Sequence, residues 1–175
     1  MARIEIWNGD ICDLEVDAIV SPAIGSLWMS TGVAGAIKRA AGDSIEFEAI
    51  RQGPVELGSA VTTSAGILAA RVVIHAVSLD RDRRTSAEAL ESAVRSAMAK
   101  AREVGVTSIA FPALGSGVGG FPLEEGARIT VHAVRDELPA SPTIAHVVFA
   151  LRGSAAYQAF SQALQEATPM SSGAS

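Results

Sequence analysis

The sequence predicts an α/β fold, a three-layer α/β/α sandwich around a central mixed, mostly parallel six-stranded sheet. Three observations carry this expectation. Six short segments read as strands: Arg3–Trp7, Asp17–Val20, Ser59–Thr63, Arg71–Val77, Thr107–Phe111 and Ala145–Leu151. Several are unbroken apolar runs, such as Val72-Val73-Ile74 and Val147-Val148-Phe149, the pattern of strands buried on both faces. Segments of helical period lie between them, and strands that alternate with helices build a parallel sheet covered on both sides.

Taken in order, the first strand leads into a loop, Asn8-Gly9-Asp10-Ile11. After the second comes a longer loop, Ser21 to Gly32. Val33, Ala36, Ile37 and Ala40 then fall at i, i+3, i+4 and i+7, a helix stopped by Gly42. Asp43 and Glu46 have the spacing of a capping box for a short second helix, which Gly53-Pro54 closes. Thr85 and Glu88 repeat that spacing ahead of the helix marked by Leu90, Val94, Ala97, Met98 and Ala101, which stops near Gly105. The fifth strand runs into a glycine loop, Phe111 to Pro122, and Pro122 suits a first helical turn because its missing N–H costs nothing there. That helix covers Glu124–Leu138. The last covers Ser154–Ala167, with Tyr157, Phe160 and Leu164 as its buried face. One domain is expected over residues 1–167, with 168–175 a small, polar, disordered tail.

Composition narrows the function. Of 175 residues 49% are hydrophobic but only 5% aromatic, which fits a close-packed α/β core. A net charge of −5 argues against a protein driven onto nucleic acid by phosphate neutralisation. The basic run Arg81-Asp82-Arg83-Arg84 is short and interrupted by acid, and reads as a solvated loop. Cys12 is the single cysteine, so disulfide frameworks and cysteine-based zinc sites are excluded and a cytoplasmic setting is expected. No leader is read at the N-terminus, and no apolar run approaches the roughly 20 residues that span a bilayer. Neither a metal, a cofactor nor a membrane partner is expected. The sequence leaves the oligomeric state open.

In a sheet of this kind ligands bind beyond the carboxyl ends of the strands. The glycine loop is suited to an anion there, since its backbone N–H groups can turn inward and a helix start follows. It matches neither G-x-G-x-x-G with a following acid nor G-x-x-x-x-G-K-[ST], so it holds phosphate, if at all, in another way.

Five segments in register resemble the macro domain, an ADP-ribose-binding module. They are Gly9-Asp10-Ile11, Val16-Asp17-Ala18-Ile19-Val20, Gly32-Val33-Ala34-Gly35-Ala36-Ile37, Val73-Ile74-His75 and Ile109-Ala110-Phe111-Pro112-Ala113. The stretch from Gly53 to Gly66 looks closest to the branch that contains the macro domain of a histone variant, a binding module. The resemblance implies a ligand, ADP-ribose or an ADP-ribosylated macromolecule, and a role for each loop. Asp10 would accept the exocyclic amine of adenine, as an acceptor-only carboxylate can, and the Ile11 N–H would reach a ring nitrogen. Asp10 equally serves to cap a turn after Gly9. The diphosphate would lie between amides of Gly32 and Val33 and those of Gly115, Ser116, Gly117, Val118 and Gly119. Phe121 would border the distal ribose or else anchor the loop from the core. Arg152, where the family usually has an aromatic, would stack on adenine through its guanidinium plane or else face solvent.

The departures bear on catalysis. Macro domains that cleave ADP-ribosyl bonds commonly carry Asn-x-x-Asn after the second strand and an Asp a few residues later. Here the first stretch reads Ser21-Pro22-Ala23-Ile24, so Ile24 replaces the second Asn at the ribose, and Ala34 replaces the Asp. General-base catalysis contributes ~10²–10⁴-fold, so its loss should remove most hydrolysis of that type. The segment Trp28-Met29-Ser30-Thr31 is bulkier than the usual glycines and narrows the distal end. Ser21, Ser30, Thr31 and Ser116 offer hydroxyls to ribose or phosphate without an acid–base partner. His75 reads as structural, His132 and His146 as remote from the loops, and Cys12 as a small buried filler. The expected function is therefore binding. The alternatives are a weak ADP-ribosyl hydrolase or O-acetyl-ADP-ribose deacetylase, or a degenerate pocket with Ile24, Trp28 and Met29 as an apolar patch for a protein partner.

Overall fold

Six strands join in one sheet of order β1-β6-β5-β2-β4-β3 in the computed structural model, which describes residues 2–117 and 120–168. They are β1 Arg3–Asn8, β2 Ala18–Ile24, β3 Ala60–Ser64, β4 Val72–Leu79, β5 Ser108–Phe111 and β6 His146–Leu151. All neighbouring pairs are parallel except β3 with β4 at one edge. The connection between those two, residues 65–71, is too short for a crossover, so the strands must run antiparallel.

Alternate residues of each strand go to opposite cores. Val20, Ile74, Phe111, Val147 and Phe149 meet α3 (Ala87–Val104), α4 (Leu123–Glu137) and α5 (Ser154–Ala167) on one face. Ile19, Val73, Ala110 and Val148 meet α1 (Gly32–Ala41) and α2 (Ser44–Ile50) on the other. Burial on both faces is why the inner strands β4 and β6 read as unbroken apolar runs. Phe111, Phe149 and Phe160 form a tilted aromatic chain in the larger core, with ring centroids 6.0 and 5.3 Å apart.

Four local expectations are corrected. β2 continues through Ser21-Pro22-Ala23-Ile24, expected as loop, because β4 pairs with it as far as Leu79. Asp43 does not cap α2: its backbone is already helical and its side chain makes no cap bond. Glu46 turns inward instead, where its Oε2 accepts from the Met29 N–H (2.7 Å) and its Oε1 from Lys38 Nζ (2.8 Å). Burial opposes ionisation of Glu46, but these partners outweigh it and lower its pKa. The cap of α3 is Ser86, whose Oγ accepts from the Ala89 N–H (3.1 Å), one residue after the expected Thr85. On α5 the buried face is Ala156, Ala159, Phe160 and Ala163, while Tyr157 is exposed. The small alanines let the helix approach the sheet, and the phenol stays wet.

α3 ends at Gly105 in the left-handed conformation (φ +78°), as its glycine stop predicts. His75 is buried in β4 with its Nε2 against Thr63 Oγ1 (2.8 Å), and burial pushes its pKa down to about 4. It is neutral and structural. Among the described residues no helix is long and apolar enough to cross a membrane, and no His, Cys, Asp and Glu group is placed to hold a metal. The expected tail lies, from 169 on, outside the described residues, as do Val118 and Gly119 of the glycine loop.

Candidate functional site

The site follows from the strand order. β5 and β2 are neighbours, yet the helix after β5 (α4) covers one face and the helix after β2 (α1) covers the other. A crevice opens between connections that leave in opposite directions. β2 pairs with β5 only at Ala18 and Ile19, so from Val20 onward the strands part and the crevice widens. Its lips are residues 25–31 after β2 and the glycine loop after β5. A cavity of about 150 Å³ lies between them.

The strand order also sets what stands along this edge. Asp10 follows β1 and Arg152 follows β6, at one end. The glycine loop and the start of α1 stand at the middle, and the loop after β4 closes the other end. An elongated ligand laid along the carboxyl ends would touch them in that sequence.

At the first end Asp10 is an N-cap. Its Oδ1 accepts from the Cys12 N–H (2.9 Å), starting a 3-10 turn over Ile11–Asp13. Its Oδ2 accepts from Arg152 Nη2 (2.7 Å). The Cys12 N–H, aided by the Arg152 charge, holds the Asp10 carboxyl below its ordinary pKa, so it is an ionised acceptor. The capping role and the pairing with Arg152 coexist, and each carboxylate oxygen has a second lone pair for a ligand donor. Arg152 is exposed but tethered, not free in solvent. The Ile11 side chain is buried in the smaller core.

In the middle, Gly32 begins α1 with φ +60°, and Thr31 before it makes no side-chain cap bond, so nothing on Thr31 competes for the first-turn N–H groups. Gly32 and Val33 line the cavity from one side, Gly115 and Gly117 from the other. Gly115 has φ +78°, and the Phe121 N–H closes the loop onto its carbonyl (3.1 Å). A Cβ on Gly115 would stand 2.8 Å from Thr85 Cγ2, whereas a Cβ on Gly117 would meet nothing within 4 Å. Ser116 Oγ donates back to the Ala113 carbonyl (3.0 Å), so its hydroxyl braces the loop. Phe121 is half-buried against the larger core, beneath the loop rather than in the cavity wall. Ser21, expected at the ribose, is fully buried within β2 and does not line the cavity.

At the far end Ile24, Trp28, Ala34 and Leu79 form an apolar wall. Of the bulky segment Trp28, Ser30 and Thr31 line the cavity, and Met29 does not. Leu27 (φ +68°) and Met29 are plugged into the core, and only Trp28 between them points out, 56% exposed. Met29 therefore contributes to no surface patch. The residue that sequence reasoning missed is Arg83. Read as part of a solvated run, it lines the cavity, and its Nη2 donates to Ser30 Oγ (3.0 Å) and its Nη1 to Thr31 Oγ1. No spacing rule finds it, because the contact spans 52 residues and rests on a left-handed backbone (φ +61°).

Among the described residues lining the cavity there is no carboxylate, imidazole or thiol to act as a general base. Cys12 is half-buried and its thiol is pushed up to about 11 by burial and the nearby Asp10 charge. His146 begins β6 beside Glu5 (2.9 Å), at the opposite end of the sheet, and His132 is exposed on α4.

Comparison with known proteins gives a consistent result. Residues 20–130 match the family model described as Macro domain. An uncharacterized protein of Mycobacterium tuberculosis is 44% identical over 165 residues, covering 94% of this chain but 45% of that protein. The chain thus spans a little under half the length of the first curated relatives it matches. An O-acetyl-ADP-ribose deacetylase of Salmonella gallinarum is 42% identical over 141 residues, 77% of this chain and 79% of that one. Among solved structures, a point mutant of the Oceanobacillus iheyensis macrodomain with ADPR superposes with TM-score 0.85 at 27% identity, covering 93% of this chain and 92% of its own. The Trypanosoma brucei macrodomain in complex with ADP-ribose superposes with TM-score 0.85 at 28% identity, covering 92% and 68%.

Proposed function

The chain belongs to the macro domain family, and from that premise we propose that its crevice holds ADP-ribose, free or as the terminal group of an ADP-ribosylated macromolecule, and leaves it intact. One observation carries the reading. The cavity at the strand-order switch is walled by glycine-bearing backbone on both sides, and it is also lined by Ile24 and Ala34, which stand where the family resemblance would put an Asn and an Asp. The ionised Asp10 lies at the end where adenine is expected. Backbone amides and a helix start suit a diphosphate. Ile24 offers the distal ribose no hydrogen bond and Ala34 cannot take a proton. Among the described residues that line the cavity there is no carboxylate, imidazole or thiol. A cytoplasmic setting suits the free Cys12.

The similarity to a bacterial O-acetyl-ADP-ribose deacetylase favours a second reading, a slow esterase that uses a water held by the ligand's own phosphate. An assay separates the two. Incubated with a mono-ADP-ribosylated protein or with O-acetyl-ADP-ribose, the chain should retain the ligand, with release no faster than in a blank without protein. Steady multiple turnover would make it an enzyme.

A further inference from the structure

We infer that Arg83 supplies the cation that meets the distal phosphate of a nucleoside diphosphate in this crevice, a role that rests on the ADP-ribose reading above. Arg83 is the single charged residue among the described residues lining the cavity. Its guanidinium meets two hydroxyls, Ser30 Oγ and Thr31 Oγ1, and within the described residues no carboxylate. The nearby acids are otherwise engaged or exposed. Asp80 Oδ1 accepts from the Asp82 and Arg84 N–H groups (2.8 and 3.0 Å), and Asp82 is exposed. A guanidinium carries more N–H donors than two hydroxyls consume, so donors and an unneutralised charge remain for a ligand.

Its position fits the distal phosphate. Thr31 immediately precedes Gly32, the first residue of α1, so the guanidinium stands beside the amides assigned to the diphosphate. The same loop reaches the opposite wall, where Thr85 packs against Gly115. Residues 80–86 thus reach both lips, Arg83 at Ser30 and Thr31 and Thr85 at Gly115, on the side away from Asp10 and Arg152. A mere peg for residues 28–31 is not required there. Leu27 and Met29 are already plugged into the core, and Glu46 holds the Met29 N–H. Yet Arg83 adopts φ +61°, a conformation that costs a non-glycine residue free energy, inside a turn closed by the Arg83 N–H on the Asp80 carbonyl (2.9 Å).

The test titrates AMP, ADP and ADP-ribose into the wild-type chain, Arg83→Gln and Arg83→Lys at low and high salt. AMP lacks the distal phosphate. Arg83→Gln is expected to weaken ADP and ADP-ribose about tenfold or more, leave AMP unchanged, and flatten the salt dependence. Arg83→Lys, which keeps the charge but not the fork, should recover part of the loss. Equal weakening of all three ligands, or no change in any, would overturn the inference while leaving the ADP-ribose reading in place. A wild-type chain that binds none of them overturns that reading itself, and this inference with it.

Discussion

Gly117→Glu is expected to weaken ADP-ribose by more than about a hundredfold, roughly 2.7 kcal/mol, without unfolding the chain. The two halves of this expectation have separate physical causes. Gly117 is exposed, its backbone is not among those at positive φ, and a Cβ built on it meets nothing within 4 Å. The folded chain therefore accepts a side chain there at little cost. A bound diphosphate does not, because Gly117 lines the cavity opposite Gly32 and Val33. A glutamate places both bulk and a like charge where a phosphate must approach backbone amides. Titration with ADP-ribose, paired with thermal melting, reads both halves. Retained affinity within tenfold of wild type would mean that the glycine loop is not the phosphate wall. Gly115 gives no such separation, since its φ of +78° and its contact with Thr85 would make any substitution a folding defect as well.

The second large effect is at Asp10. Asp10→Ala should weaken ADP-ribose by about 1.5–3 kcal/mol, roughly 10–150-fold, the range for a hydrogen bond to a charged group. Part of that loss is indirect, because the substitution also removes the acceptor of the Cys12 N–H and releases Arg152. Asp10→Asn separates the contributions. It keeps an oxygen for the turn but adds an N–H₂ donor, so it should narrow the preference for an adenine ligand over its hypoxanthine counterpart, whose keto group the carboxylate repels. Calorimetry with both bases checks this. Undiminished discrimination in Asp10→Asn would place base recognition elsewhere.

How much of this was legible in the sequence depends on the range of the interaction. All six strands were readable, the inner ones because burial on both faces writes apolar runs into the chain, as in Val72-Val73-Ile74. The glycine stop of α3 is local chemistry and was equally readable, while Pro122 marks the start of α4 but stands at its N-cap with an extended backbone rather than in the first turn. The extension of β2 was not, since Ser21-Pro22 looks like a strand end until β4 is known to pair beside it. Glu46 has the spacing of a cap, but its carboxylate goes to Met29 and Lys38 because the chain folds back over it. Three loops of the site were visible as motifs. Their tertiary wiring was not: Arg152 reaches Asp10 across 142 residues and Arg83 reaches Thr31 across 52, and neither pairing leaves a periodic trace. Ser21 illustrates the converse, a polar residue in a recognised motif whose alternation in β2 turns it into the interior.

The central claim is that the crevice between β2 and β5 holds ADP-ribose without consuming it. The most direct measurement is a calorimetric titration of the wild-type chain with ADP-ribose, with the nucleotide recovered and identified afterwards. The account predicts saturable binding at one site and quantitative recovery of intact ligand. Absence of a binding isotherm at millimolar ADP-ribose would contradict it.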